Sequence, residues 1–220
     1  MHADIPSYIP SYIPSYKVRR GRTGPTSTAA RSRLWPTYGL DAPFDGLVTD
    51  VLEIGFGMGE ATAQRAAAEP DLDVVAVEVH PAGIASLLRR LEAAALTNVR
   101  VVDGDGVEVL QSLPPGSLRQ LRVLFPDPWP KARHAKRRLL RPAFADLAAA
   151  ALGPNGVLHL ATDSQAYVDH ALVALAGWDA RLVPRPATRP VTGYERRALA
   201  AGRTVVDLLA TPRCGGPAPG

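Results

Sequence analysis

Between Asp50 and Leu209 the sequence predicts an α/β fold, a mostly parallel β-sheet covered by helices. Three observations carry this expectation. Short runs rich in Val, Ile and Leu alternate with longer runs rich in Ala and Leu, as repeated β–α units require. A glycine-rich turn, Glu53-Ile-Gly55-Phe-Gly57-Met-Gly59, follows the first strand and opens the first helix. A proline-stiffened loop closes the fourth strand, at the sheet edge where open α/β folds bind ligands.

The elements follow in order. Ile-Pro-Ser-Tyr is repeated three times from Ile5 to Tyr16. Proline in every copy bars a helix, so residues 1–16 are expected to be a disordered, dispensable tail. Residues 17–49 form a basic segment in which Trp35-Pro36-Thr37-Tyr38-Gly39 is expected to pack back onto the domain that spans 50–211. In that domain Val51–Ile54, Val74–Glu78, Val99–Asp103 and Leu121–Phe125 read as strands. Helices are expected over Gly59–Ala68 and from Pro81 to about Ala95, where proline suits the first turn. A helix over Pro142–Leu152, a turn at Gly153-Pro154-Asn155-Gly156 and a strand over Val157–Ala161 follow. Ser164 suits an N-cap for a helix through Leu175. Weaker strands at Ala180–Val183 and Thr204–Leu209 flank a short helix near Glu195–Ala200. Residues 212–220, rich in Gly and Pro, are expected to be a disordered tail.

The formal net charge of +4 says less than its distribution. Lys17, Arg19, Arg20, Arg22, Arg31 and Arg33 crowd the N-terminal segment, and a second cluster follows Asp127. Blocks of this kind suit a polyanion. No run of about 18 apolar residues is present to span a membrane, and the N-terminus lacks the apolar core of a secretory signal. The single cysteine, Cys214, fits a reducing, cytoplasmic compartment. The five histidines show no metal-ligand spacing, so no metal is expected. Monomer and homodimer both stay open.

The richest segment is Phe125-Pro-Asp-Pro-Trp-Pro-Lys-Ala-Arg-His-Ala-Lys-Arg-Arg138. One carboxylate, Asp127, is held stiffly between two prolines at a strand end, beside the aromatic Trp129. Lys131, Arg133, Lys136, Arg137 and Arg138 follow with no acid among them. That pairing points to chemistry on something polyanionic. Trp129 is placed either to stack on a base or to pack and hold the loop.

The glycines of the first turn run G-x-G-x-G and are preceded by an acid, unlike the G-x-G-x-x-G spacing that receives a pyrophosphate. An acid beside such a loop favours a cationic ligand, which S-adenosylmethionine is and NAD is not. Glu78, ending the second strand, is placed for a bidentate grip on ribose hydroxyls, and Asp105 or Asp103 for the adenine amine.

Taken together, L-E-I-G-F-G-M-G at Leu52–Gly59, V-E-V-H at Val77–His80, the Phe125–Arg138 block, A-T-D at Ala161–Asp163 and T-x-Y-E at Thr192–Glu195 resemble the bacterial tRNA (guanine-N7)-methyltransferase family. The resemblance covers about Arg20 to Ala210. It implies a Rossmann-like class I methyltransferase fold, with a mostly parallel seven-stranded sheet and helices on both faces. It implies methyl transfer from S-adenosylmethionine to a guanine in the variable loop of tRNA. By it Glu53, Gly55, Gly57, Gly59, Glu78 and Asp105 would hold the cofactor, and Asp127 would be the active-site acid. Asp127, Lys131, Asp163, Thr192, Gly193, Tyr194 and Glu195 would bind substrate, and Arg133, His134, Lys136, Arg137 and Arg138 would contact RNA. Gly193 stands where the family often has lysine, and the tetrapeptide repeat lies outside the family pattern. Two other classes remain: a methyltransferase acting on an exocyclic amine of RNA or DNA, and a non-catalytic RNA-binding protein of this fold.

Overall fold

The computed structural model describes residues 15–16 and 24–213. Most of the tetrapeptide repeat, the cations Lys17 to Arg22 and Cys214 therefore lie outside the described residues. Strands β1 (Val51–Ile54), β2 (Val74–Glu78), β3 (Val99–Asp103), β4 (Leu118–Leu124), β5 (Leu152–Thr162), β6 (Trp178–Val183) and β7 (Val206–Pro212) form one sheet in the order β3-β2-β1-β4-β5-β7-β6. The five strands from β3 to β5 pair in parallel, and β7 runs antiparallel to β5 and β6. All the predicted strands are present.

Period-two alternation sends neighbouring residues to opposite faces. Val51, Val74, Ala76, Val99 and Val101 join one core. Leu52, Val75, Val77 and Val102 join the other. Helices α1 (Pro25–Tyr38), α2 (Glu60–Ala68) and α3 (Pro81–Ala93) cover the first face. Helices α4 (Gly106–Ser112), α5 (Pro142–Ala151) and α6 (Gln165–Ala174) cover the second. A short α7 (Gly193–Ala200) precedes β7.

Trp35 to Gly39 does pack back, as the end of α1: Leu34 and Tyr38 are buried and Gly39 bridges to Val101. The predicted turn at Gly153–Gly156 is instead part of β5. Its glycines have no side chains to keep β4 away: a Cβ on Gly156 would stand 2.9 Å from the Leu118 carbonyl oxygen. The register slips there, from Leu118 opposite Leu152 to Gln120 opposite Val157, so the extra residues bulge within the strand rather than end it.

Candidate active site

The carboxyl ends of β1 to β4 open onto one cleft. Gly55, Gly57, Glu78 and Asp105 line the end after β1 to β3, Phe125 and Asp127 the end after β4, and Tyr194 lies between them, its ring 3.2 Å from where a Cβ on Gly57 would stand.

At the first end the backbone holds the acids in place. Glu78 is buried, and its Oε1 accepts the N–H groups of Val79 and His80 at 2.8 and 3.1 Å. Its Oε2 accepts the Gly57 N–H at 2.8 Å. A carboxylate has about four acceptor positions, so these three bonds leave one, on Oε2. That allows one strong hydrogen bond to a ligand rather than a bidentate grip. Gly59, at φ 71°, turns the chain into α2, and a Cβ there would strike Leu87 at 2.6 Å. Gly83 admits α3 against the turn, since a Cβ would lie 2.2 Å from the Gly57 carbonyl oxygen. Sequence reasoning had no signal for Gly83 beyond an isolated glycine in a helix.

Asp105 caps α4, its Oδ1 accepting the Val107 N–H at 2.9 Å. Asp103 points away from the cleft and pairs with Arg31 at 2.5 Å. Of the two candidates, Asp105 is the one that lines the cleft. Glu53 does not line it. It lies buried beneath the glycine turn, accepting the Thr62 hydroxyl at 3.0 Å. Burial pushes its carboxyl above the usual range, against the pull of the Arg122 guanidinium.

At the second end, Phe125 and Trp129 hold left-handed backbone at φ 55° and 42°. Such conformations cost about 1–3 kcal/mol each and need support. Phe125 donates its N–H to the Ala161 carbonyl at 2.7 Å. Arg138, buried, donates to the Pro128 carbonyl at 3.1 Å, to Trp129 at 3.4 Å and to Ala166 at 3.0 Å. It is thus set apart from the exposed Lys131, Arg133 and Lys136. Trp129 takes its packing role: it is buried, edge-on to His134, with the Arg137 guanidinium 5.0 Å above its ring. Asp127 stands exposed at the rim of the cleft.

The late motif divides. Tyr194 reaches the cleft and stacks on Phe125, rings 16° apart with centroids at 6.2 Å. Thr192 caps α7, accepting the Glu195 N–H at 3.0 Å, and Glu195 is buried. A Cβ on Gly193 would meet nothing closer than the Arg196 guanidinium at 3.7 Å, so this glycine answers no steric need. Asp163 lies outside the cleft and pairs with Arg203 at 2.7 Å.

The sequence did not point to the place of Ser15 and Tyr16. Both line the cleft, the Ser15 carbonyl accepts the Trp129 indole N–H at 2.8 Å, and the Tyr16 hydroxyl bonds Asp105. Burial, then the charges of Asp105 and Glu108, raise the Tyr16 hydroxyl above its ordinary pKa. Among the described residues no group of His, Cys, Asp and Glu is arranged to hold a metal, and no helix is long and apolar enough to cross a membrane.

A final strand inserted antiparallel beside β5, with a glycine turn and carboxylates facing a common cleft, is the architecture of class I S-adenosylmethionine-dependent methyltransferases. The solved S-adenosylmethionine-dependent O-methyltransferase of Thermotoga maritima shares this fold, with a TM-score of 0.52 at 17% identity over 90% of this chain and 69% of that one. A family model described as "Putative methyltransferase" matches residues 48–208. The tRNA (guanine-N(7)-)-methyltransferase of Nitrosospira multiformis is 43% identical, over 87% of this chain and 91% of its own. That of Streptomyces avermitilis is 44% identical, over 87% and 72%. The chain belongs to the tRNA (guanine-N7)-methyltransferase family.

Proposed function

We propose that this protein transfers a methyl group from S-adenosylmethionine to N7 of a guanine in the variable loop of tRNA, in the cytoplasm. The observation that carries this reading is that Asp127 shares one cleft with Glu78 and Asp105 and leads directly into the exposed cations Lys131, Arg133 and Lys136.

The residues of the first end fit the cofactor. The open acceptor on Glu78 suits a ribose hydroxyl, and Asp105 suits the adenine amine. The acids suit a ligand that carries a sulfonium and an ammonium and no phosphate. Glu53 acts from below, fixing the start of α2 through Thr62. Bound there, the cofactor supplies an electrophilic methyl group.

The rest falls to this chain's side chains. Guanine N7 carries an in-plane lone pair and no proton, so no general base is needed to create the nucleophile. As the methyl group passes, positive charge grows on the imidazole ring of the base. A carboxylate near that ring stabilises the transition state more than the ground state, which raises kcat. Asp127 supplies it, and Phe125 and Tyr194 form the aromatic wall that aligns the base. Lys131, Arg133, His134, Lys136 and Arg137 grip phosphates without reading sequence. Arg138 keeps the loop in shape.

The test incubates the protein with bulk tRNA and labelled S-adenosylmethionine, then digests the RNA and identifies the product by mass spectrometry. 7-Methylguanosine from the variable loop is expected. A methylated exocyclic amine would assign the other methyltransferase chemistry, and no incorporation would leave an RNA-binding protein.

A further inference from the structure

One buried cation has no part in the chemistry above and yet reaches both α7 and the Phe125 ring. Arg189 has no solvent exposure. Its Nε and Nη2 donate to the two carboxylate oxygens of Asp207 on β7, at 2.6 and 2.8 Å. Its Nη1 donates to Glu195 Oε2 on α7 at 2.5 Å. The guanidinium carbon lies 5.8 Å from the centre of the Phe125 ring. One planar group thus joins the last strand of the sheet, the first turn of α7 and the root of the Asp127 loop.

We infer that Arg189 is the positioning residue of the substrate end: by tying Glu195 to Asp207 beside the Phe125 ring, it sets Tyr194 against Phe125 and so fixes the wall facing the reacting base. This rests on the reading of that end as the methyl-acceptor site. Arg189 does not line the cleft and acts only through its neighbours.

The surroundings explain why arginine is needed. Asp207 also meets His159 Nε2 at 2.7 Å, and burial keeps that imidazole below its ordinary pKa, so it donates to Asp207 as the neutral form. Neutral His159 adds no charge, and the second carboxylate, Glu195, has among the described residues only the half-exposed Arg185 at 3.5 Å besides Arg189. Without Arg189, buried Asp207 would keep only neutral His159 among its described partners and buried Glu195 only the half-exposed Arg185. Lysine restores the charge but is a compact point donor that cannot form the fork to Asp207, reach Glu195 and lie beside the Phe125 ring at once. Tyr194 adjoins Glu195 in the chain and Asp127 lies two residues beyond Phe125, so tilting α7 misaligns the wall.

The test compares Arg189→Lys with the wild type in three measurements. Fluorine NMR of fluorotyrosine-labelled protein, with the Tyr194 signal assigned by Tyr194→Phe, reports the stack without any substrate. In Arg189→Lys that signal is expected to move to the value of a solvated tyrosine. Single-turnover methyl transfer is expected to fall about 100-fold, the scale of a small misplacement of reacting groups. Affinity for S-adenosylmethionine and KM for tRNA should change less than about threefold, since binding is not what is lost. Tyr194→Ala should slow the wild type about tenfold but Arg189→Lys less than about twofold, because the two changes remove one arrangement. An unmoved Tyr194 signal, or fully additive rates, would overturn the inference. A wild type that methylates no tRNA would sink the proposed function instead, and the NMR comparison would still decide the role of Arg189. If Arg189→Lys does not fold, Glu195→Gln, which keeps an acceptor for Arg189, should show the same displaced signal with about a tenfold slower transfer, and an unmoved signal there overturns the inference equally.

Discussion

The two ends of the cleft are built by opposite means. The cofactor end comes from consecutive β–α units, residues 51–106, and its key carboxylates are held by backbone N–H groups: three on Glu78 and one on Asp105. The substrate end is assembled from distant stretches, the Phe125–Arg138 loop, the start of α7 and β7. Side-chain guanidinium groups hold it, Arg138 inside the loop and Arg189 between elements. Backbone donors fixed by secondary structure are preorganised for any ligand of the right polarity. A wall hung on buried ion pairs is set by a few side chains, and a single substitution can reshape it. Cofactor affinity and transfer rate should therefore respond to separate sets of mutations.

The largest break should come from Asp127→Asn, which keeps the shape of the loop and removes the charge facing the developing cation. Single-turnover kcat is expected to fall about 100-fold or more while cofactor affinity hardly moves. A wild-type rate would make Asp127 structural and remove the proposed electrostatic step. Glu78→Ala should do the reverse. Loss of a charge-assisted acceptor of about 1.5–3 kcal/mol predicts at least a tenfold weaker S-adenosylmethionine affinity by calorimetry. Unchanged affinity would take Glu78 out of the site.

A smaller contrast separates the cations. Arg133→Ala with Lys136→Ala should raise KM for tRNA and flatten the dependence of log K on log salt by about 0.7–0.9 for each phosphate no longer gripped. Arg138→Ala should instead lower the melting temperature, because it leaves the Pro128, Trp129 and Ala166 carbonyls without their donor, and the salt slope should stay as in the wild type. Equal salt slopes for both variants and the wild type would mean that the RNA surface lies elsewhere, in the basic N-terminal segment. The smallest effect is expected from Tyr16→Phe. Freeing Asp105 of the Tyr16 hydroxyl should tighten cofactor binding by a few-fold at most, the scale of one neutral hydrogen bond. Weaker binding would show that Tyr16 closes over the cofactor rather than competing for its acid.

Much of the cofactor end was legible in the sequence, because its signals are local. A strand over Val51–Ile54, glycines at fixed offsets and an acid at the next strand end all lie within one β–α–β stretch, although Glu53 turned out to support the turn from below rather than line the cleft. Helix α1 was not legible: only Ala30, Leu34 and Tyr38 face inward, and Pro36 together with the arginines makes the segment read as a basic linker. The substrate motif was legible as a motif, but not in its division of labour. Thr192 and Glu195 read as substrate contacts, yet their hydroxyl and carboxylate turn toward α7 and Arg189, leaving Tyr194 to face the cleft. What decides this is the partner Asp207, whose position depends on β7 slotting in beside β5, a long-range pairing that no local pattern announces. The approach of Tyr16 to Asp105 was hidden for the same reason: the repeat has no hydrophobic face from which a docking site could be read.

The place of β7 turns chain order into assembly order. β5 has no neighbour on that side, and β6 no partner at all, until Val206–Pro212 slides between them. A domain generally folds as a unit during synthesis, so this sheet closes only when its last strand has emerged. A chain still short of Val206 already carries every carboxylate of the cofactor end, but it lacks Asp207 and with it the anchor of Arg189. The anchor of Arg189 is thus supplied last, by a strand that does not line the cleft.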